Sequence, residues 1–349
     1  MDMKLDPKFD SFLSALDKEF GANDVNQAVT QWIDTGNPEM NRIISGSYDG
    51  GLPFGRLVEM FGESSTGKTA IATQCMVQAQ KMGGIAVFID WERSFDVFLA
   101  EGFGLNTERP YWFYYKPKTW EEGNTIGKKL AYRLREMKIV PPDAPILFVY
   151  DSIASAVPKS VFEKELDEHG MNDTTALARV SSTTLKNMAQ FAEDTNSTHL
   201  YLNQVREKPG VVYGSNITTP GGKAPEFYAS ARLCLKRQKI MDKGDSGEKE
   251  FLGQNIVVQA VKSKFTRPFQ ECNLRLMYEG EVAVFDHIAA LLELLVKKGW
   301  VSYSKPYVTW TDGKKYYVKS LVKHLKEQED GLEQLKAFLP KSEEDSDVA

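Results

Sequence analysis

Residues 62–69 have the types and spacing of a phosphate-binding loop, with two glycines separated by four residues and followed by Lys68 and Thr69. The apolar run RLVEMF precedes the loop and a helical pattern follows it, which is the context that this motif requires. Backbone N–H groups and a helix N-terminus there suit phosphate oxygens. Lys68 is expected to reach the β- and γ-phosphates, and the Thr69 hydroxyl to hold Mg²⁺. The predicted nucleotide contacts are Gly62, Glu63, Ser64, Ser65, Thr66, Gly67, Lys68 and Thr69.

Two carboxylates follow apolar runs that read as strands. Asp151 ends the run PILFVYD, with Ser152 next, and Glu92 comes just after GIAVFID. Open α/β sheets bind ligands at the carboxyl ends of their strands. Asp151 therefore suits an indirect Mg²⁺ ligand, and Glu92 suits a base that orients and deprotonates an attacking water. A carboxylate after a strand also serves as a helix cap, and the phosphate loop is what favours the catalytic interpretation.

A third run, THLYLN, ends at Gln204, whose amide has reach toward a γ-phosphate. Residues 205–225 then show neither helical nor strand periodicity, and loops of about 20 such residues are usually functional or disordered. Basic residues outnumber acidic ones around this loop, which favours an anionic partner. The cations counted there are Arg206, Lys208, Lys223, Arg232, Lys236 and Arg237, with Arg179 and Lys186 on the preceding helix.

Taken in order, these segments resemble the bacterial RecA recombinase family and its phage-borne relatives. GGLPFGRLVEMFGESSTGKT, FIDWERSFD, FVYDS and LNQVREKPGVVYGSNITTPGGKAPEFYASARL are similar to the family's nucleotide and DNA segments. The resemblance implies a DNA-dependent ATPase that uses ATP and Mg²⁺ and forms helical filaments on single-stranded DNA. It also implies homologous pairing and strand exchange in recombination and repair. AVKSKFTRPF resembles paired lysines that reach a neighbouring subunit's ATP, here Lys262 and Lys264.

The resemblance also implies individual contacts. Asp96 takes a place at the nucleotide, but Leu99 stands where the family has a tyrosine against adenine, which leaves Phe98 or Trp91 as stacking aromatics. Pro209 stands where an isoleucine wedges between bases. The implied DNA contacts are Arg179, Lys186, Arg206, Lys208, Pro209, Gly210, Thr218, Gly221, Gly222 and Lys223.

The strands and helices that must position these residues alternate from about residue 52, a pattern typical of an α/β fold. We expect a doubly wound, mostly parallel sheet of the RecA type. Residues 34–280 form this predicted core. Phe9, Phe12 and Leu13 begin an apolar stripe that predicts an amphipathic helix, and the resemblance implies that residues 1–33 are a polymerisation helix and linker.

The predicted C-terminal domain, residues 281–340, is a small α+β unit with a helix, a hairpin turning at Asp312-Gly313 and further helix. Its many lysines suggest a docking surface for duplex DNA, with a solvated face as the alternative. Residues 341–349 form an acidic tail.

The composition limits the remaining possibilities. The chain has 349 residues, 42% hydrophobic and 26% charged, with net charge −5. No run approaches the roughly 18 apolar residues of a membrane span, and MDMKLDPKFD lacks a secretory pattern. Three distant cysteines predict neither disulfides nor a zinc site. We therefore expect a cytoplasmic protein of a bacterium or phage-infected host. The acidity argues against nucleic acid only as an average, because the loop and the C-terminal unit are locally basic.

Two other functions remain open at this level. A ring-forming motor of the same superfamily, such as a hexameric helicase, would share the core. A non-catalytic mediator of recombination would bind ATP and DNA without turnover, although intact Lys68, Thr69, Glu92 and Asp151 argue against it.

Overall fold

A computed structural model of the chain describes residues 11–12, 15, 29–170, 172–207, 217–243, 249–280 and 282–340. The chain divides into two units, residues 1–30 and 31–349. In the first unit Ser11, Phe12 and Ala15 are helical, and the rest of the predicted polymerisation helix lies outside the described residues.

The bounds of the elements follow from the backbone. The strands are β1 (Trp32–Ile33), β2 (Leu52–Pro53), β3 (Leu57–Gly62), β4 (Ile85–Asp90), β5 (Trp112–Tyr115), β6 (Ile146–Asp151), β7 (Thr198–Gln204), β8 (Arg206–Glu207), β9 (Ile217–Thr218), β10 (Ala231–Lys243), β11 (Lys249–Ser263), β12 (Gln270–Glu279), β13 (Val282–Phe285), β14 (Ser302–Ser304), β15 (Tyr307–Thr309) and β16 (Lys315–Tyr317). The helices are α1 (Pro38–Ser45), α2 (Lys68–Lys81), α3 (Val97–Gly102), α4 (Trp120–Glu136), α5 (Lys159–Phe162), α6 (Ala176–Thr195), α7 (Ala224–Tyr228), α8 (His287–Lys298), α9 (Val318–Lys326) and α10 (Gly331–Lys336).

The largest sheet in the described part of the chain has nine strands in the order β13-β12-β11-β10-β3-β7-β6-β4-β5. Neighbours from β10 through β5 run parallel, and β10 to β13 pair antiparallel. The register places Asp90 beside Asp151 and Gly62 beside Gln204, so four parallel strands end at one edge. The predicted mostly parallel α/β sheet is confirmed, with a longer antiparallel extension than the patterns indicate.

Successive residues of the central strands face opposite layers, as the pleat requires. Ala86 and Phe88 of β4 pack with α1 and α2, whereas Val87 and Ile89 pack with α4 and α6. Because both faces are covered by helices, β4 is apolar from residue 85 to residue 89 rather than alternating. This burial makes the sheet a rigid base for the loops at its edge.

The C-terminal region has a hydrophobic cluster of its own, which includes Leu295, Val308, Trp310 and Leu321. Strands β14, β15 and β16 form a small antiparallel sheet, and the hairpin turns at Asp312-Gly313 as predicted. The last helical pattern is divided into α9 and α10. A Cβ on Gly331 would lie 2.0 Å from the Leu325 carbonyl oxygen, so this close turn requires glycine.

Two strands extend beyond the predicted segment limits. β1, inside the predicted linker, pairs with β2 of the predicted core in a separate two-stranded sheet, and β13 extends the nine-stranded sheet to Phe285. Across the described residues, the search for a helix that is long and apolar enough to cross a bilayer found none.

Candidate active site

The phosphate loop connects β3 to α2 at the sheet edge. Gly67 has φ +85°, and a Cβ there would lie 2.5 Å from Ile256 Cδ1, so the loop needs glycine both for its backbone and for space. Lys68 is buried, and its Nζ donates to the carbonyl oxygens of Gly62 at 3.1 Å and Glu63 at 2.7 Å. The loop therefore curls around its own lysine and leaves a compact cradle of backbone N–H groups.

Asp151 lies next to this cradle at the end of β6. The Thr69 hydroxyl donates to Asp151 Oδ2 at 2.8 Å. Burial, and secondarily the Glu92 charge, raises the pKa of Asp151 to about 7 despite this hydrogen bond. An alcohol and a carboxylate side by side are the oxygen donors that Mg²⁺ prefers, so the donor set fits this ion.

Glu92 is held by three donors on one carboxylate oxygen. Its Oε1 accepts from Ser152 Oγ at 2.6 Å, from Gln204 Nε2 at 2.9 Å and from Ser155 Oγ at 3.3 Å. These residues come from β4, β6 and β7 and their following loops, so the fold brings together segments that are far apart in sequence. Glu92 lines the same pocket as the phosphate loop.

Three charged side chains meet at this site. Burial lowers the pKa of the Lys68 ammonium, while the Asp151 and Glu92 carboxylates oppose that shift. One buried cation thus faces two carboxylates in a partly dehydrated pocket. Such a site is suited to a substrate that brings phosphate charge and a divalent cation together.

The aromatic residues near the pocket differ from the predicted ones. The suggestion that Trp91 stacks on adenine is wrong. Trp91 is buried, stacks on Trp120 and donates from Nε1 to the Thr119 carbonyl oxygen. Phe98 is 63% exposed, on α3. Asp96 caps that helix by accepting from the Leu99 backbone N–H at 3.0 Å.

Pocket-lining residues from the antiparallel extension were missed by the sequence reasoning. The pocket is bounded by Leu99 and Phe103 on one side and by Gln254, Leu276 and Tyr278 on the other. Strands β11 and β12 carry these last three residues. Their segments contain no motif, and only the strand order places them beside α2.

The segments that flank the predicted DNA loop lie at the same edge of the sheet. Arg206 of β8 pairs with Thr218 of β9, which closes the loop at its base. Lys208, Pro209 and Gly210 lie outside the described residues. Gly221 and Gly222 have φ +89° and +69°, and a Cβ on Gly222 would lie 2.9 Å from Ala178 Cβ. The glycine pair therefore packs against the start of α6.

The cations counted around the loop differ in their surroundings. Arg179, Lys186, Arg206 and Lys223 are exposed at or near the loop base or along α6. Arg232, which the sequence analysis counted with them, is 11% exposed and forms an ion pair with the buried Glu59. Counting charges along the sequence could not separate an internal ion pair from a solvated cation.

Lys262 is the second-to-last residue of β11 and Lys264 directly follows that strand, beside the start of β3 rather than the phosphate loop at its end. Lys262 Nζ donates to the carbonyl oxygens of Glu226 at 2.7 Å and Phe227 at 3.0 Å, and burial followed by the Lys264 charge lowers its pKa. A Lys262 ammonium crowded by a second cation favours contact with an anion.

The fold and the edge geometry define a RecA-type α/β protein with a phosphate loop. A family model described as the RecA N-terminal domain matches residues 8–283. The chain belongs to the RecA family.

Curated relatives named Protein RecA are similar over most of their length. The protein from Aquifex pyrophilus is 33% identical over 322 residues, covering 89% of this chain and 86% of its own. That from Oceanobacillus iheyensis is 32% identical over 309 residues, covering 84% and 82%. That from Lactococcus lactis subsp. cremoris is 30% identical over 309 residues, covering 86% and 74%.

Proposed function

We propose that this chain is a DNA-dependent ATPase that assembles ATP-bound helical filaments on single-stranded DNA and promotes homologous pairing and strand exchange. One observation carries the proposal. Lys68, Thr69, Asp151, Glu92 and Gln204 meet at one sheet edge, and the strand that ends at Gln204 leads directly into the basic loop. This arrangement supports a nucleotide site and a DNA site at the two ends of one short segment.

Each step of the proposed chemistry is assigned to particular residues of this chain. The backbone N–H groups of residues 62–69 and the Lys68 ammonium bind the phosphates and stabilise charge on the γ-phosphoryl group. Glu92 orients the attacking water and accepts its proton, with Ser152 holding the carboxylate in place. Gln204 lies within hydrogen-bond distance of Glu92, so it reports the state of the γ-phosphate to the loop that follows.

Thr69 and Asp151 are the residues that would hold Mg²⁺, with Asp151 acting on the ion through water. When bound, the ion neutralises phosphate charge. Asp151 acts as a carboxylate in this role, since Mg²⁺ prefers charged oxygen ligands.

The DNA surface is proposed to comprise the loop base, its glycine pair and the exposed cations of α6. Phosphate contacts from Arg206, Lys223, Arg179 and Lys186 carry no sequence information, which suits a protein whose sequence recognition occurs by pairing between DNA strands. Lys262 and Lys264 are proposed to complete the ATP site of a neighbouring subunit, since they lie away from their own. Hydrolysis then depends on assembly.

Two further proposals concern duplex DNA and the location of the activity. Exposed lysines of the C-terminal region, among them Lys314, Lys315 and Lys319, are proposed to dock duplex DNA. We place the activity in the cytoplasm of a bacterium or phage-infected host, where ATP and DNA are both present. A ring-forming motor is less favoured because family relatives match most of the chain. A non-catalytic mediator is less favoured because the Ser152 hydroxyl still holds the Glu92 carboxylate.

The test is an ATPase assay with electron microscopy of the same sample. Single-stranded DNA should raise hydrolysis at least about ten-fold in Mg²⁺, and chelating the metal should abolish it. A non-hydrolysable ATP analogue should give open helical filaments. Closed hexamers would support the ring-forming motor, and absence of both filaments and DNA stimulation would refute the proposal.

A further inference from the structure

A buried carboxylate lies on the strand that leads into the phosphate loop, between β10 and the strand of Gln204. Glu59 of β3 is 1% exposed, and it contacts side chains from the strands on both sides. Its Oε1 accepts from Asn203 Nδ2 at 2.8 Å, and its Oε2 accepts from Arg232 Nε at 2.5 Å. Because an unpaired buried charge is strongly unfavourable, the ion pair with Arg232 stabilises the Glu59 carboxylate at this position.

Asn203 itself makes three hydrogen bonds in the interior. Besides the bond to Glu59, its Nδ2 donates to the Pro220 carbonyl oxygen at 3.0 Å, and its Oδ1 accepts from the Gln204 backbone N–H at 2.9 Å. Pro220 lies at the return end of the DNA loop, directly before the glycine pair. One amide therefore joins the residue that contacts Glu92 to the segment that re-enters the core after the loop.

The orientation of this amide is dictated by its partner. Both Glu59 oxygens act as acceptors here, one from Arg232 and one from Asn203, so the Asn203 NH₂ group faces Glu59. Its second N–H then points at Pro220, and the carbonyl oxygen remains for Gln204. Glu59 thereby fixes the amide so that its NH₂ group faces Pro220, after the loop, and its oxygen faces Gln204, before the loop.

We propose that Asn203 is a positioning residue that couples Gln204 to the return end of the DNA loop, with Glu59 and Arg232 holding its amide in the required orientation. The inference rests on the proposed function and names how its nucleotide and DNA sites communicate. Shifting Gln204 without Pro220 would leave buried polar atoms unpaired, so the two segments move together. Coupling of this kind is reciprocal, since a ligand that biases one end biases the other.

The first test compares Asn203→Ala with the parent chain. Two quantities are measured: the ratio of hydrolysis rates with and without oligo-dT, and the gain in oligo-dT affinity caused by a non-hydrolysable ATP analogue. Both should fall by about ten-fold, whereas affinity for a fluorescent ATP analogue without DNA should stay within about two-fold. Parental values for both quantities would overturn the inference.

An exchange of side chains separates coupling from stability. Asn203→Asp places two carboxylates together and should lower the melting temperature. Adding Glu59→Gln provides an amide N–H that can donate to the new carboxylate at position 203. That carboxylate can still accept from the Gln204 backbone N–H. The Pro220 carbonyl oxygen, however, remains without its donor. The double variant should regain stability without regaining DNA stimulation. Recovery of DNA stimulation would overturn the inference, and this pair decides the matter if Asn203→Ala does not fold.

A matched control removes an ion pair elsewhere. Arg56 Nη2 lies 3.2 Å from Glu193 Oε1, outside the network, and Glu193→Gln should leave the DNA stimulation ratio at its parental value. The outcomes remain distinguishable. A parent chain without DNA stimulation refutes the proposed function, whereas a stimulated parent with an indifferent Asn203→Ala refutes only the coupling role.

Discussion

The nucleotide edge of the large sheet and the lysine-rich surface of the C-terminal region both carry charge, but in opposite ways. At the edge, Lys68, Asp151 and Glu59 are buried and each has defined partners. In the C-terminal region Lys314 and Lys315 are exposed. Lys326 is likewise solvated, although it pairs with Asp286 at 2.8 Å.

This difference teaches how each region can act. Buried, partnered groups are oriented before a ligand arrives, so they can direct chemistry and are little screened by salt. Exposed lysines attract any polyanion, at a strength that salt reduces. Each of the following tests challenges or refines that contrast, beginning with the largest expected effect.

Glu92→Gln should lower DNA-stimulated ATP hydrolysis by about 10²–10⁴-fold, because the amide cannot accept the proton of the attacking water. Affinity for the nucleotide should persist, since the phosphate loop is unchanged. Steady-state phosphate release measures the first and analogue fluorescence the second. Glu108→Gln, at an exposed carboxylate, is the matched control. An unchanged rate would remove Glu92 from the chemistry.

His199, at the start of β7, tests whether burial inside the sheet controls protonation. Its ring lies between the Tyr150 hydroxyl at 3.0 Å and the Ser197 hydroxyl at 2.9 Å, and burial lowers its pKa to about 3. The unfolded chain binds this proton near pH 6.5, so the His199 contribution to stability rises with pH from about 3 to about 6.5.

The parent should therefore lose about 2 kcal/mol more than His199→Gln between pH 7 and pH 5. Urea unfolding at both pH values measures the difference, and subtracting the variant removes contributions that both chains share. Equal losses in the two chains would mean that His199 is protonated in the folded protein.

Lys314→Glu with Lys315→Glu should weaken duplex capture by roughly three- to ten-fold at low salt, with the difference fading as salt rises. Stimulation of hydrolysis by single-stranded DNA should be unchanged. Filter binding of a labelled duplex to preformed filaments measures the effect. Replacing both lysines by arginine keeps the charge and should preserve capture. A salt-independent loss would show that these lysines act through structure rather than through charge.

Ser155→Ala should reduce DNA-stimulated hydrolysis by about two- to five-fold, since its hydroxyl is the most distant of the three donors to Glu92. Ser152→Ala, which removes the 2.6 Å bond, should cost more. The ratio of the two variants under identical conditions is the measurement. The reverse order would mean that the carboxylate depends on Ser155 for its orientation.

The sequence predicted much of the site because its motifs are contiguous. The phosphate loop, Glu92, Asp151 and Gln204 each follow an apolar run, and parallel strands must bring such ends to one edge. The hairpin at Asp312-Gly313 was likewise predictable from local turn chemistry. Assignments that depended on a side chain's direction were less secure, as the buried Trp91 shows.

The sequence by itself determined the chemistry available to this protein: a phosphate cradle, two carboxylates, a glutamine and a basic loop, in an order that parallel strands can align. Only the tertiary structure decided which charges are internal. It turned Arg232 inward onto Glu59, placed Tyr278 beside the pocket, and set Asn203 between Gln204 and Pro220. The physical reason is that strand order and burial are properties of the whole sheet, whereas motifs and turns are properties of neighbouring residues.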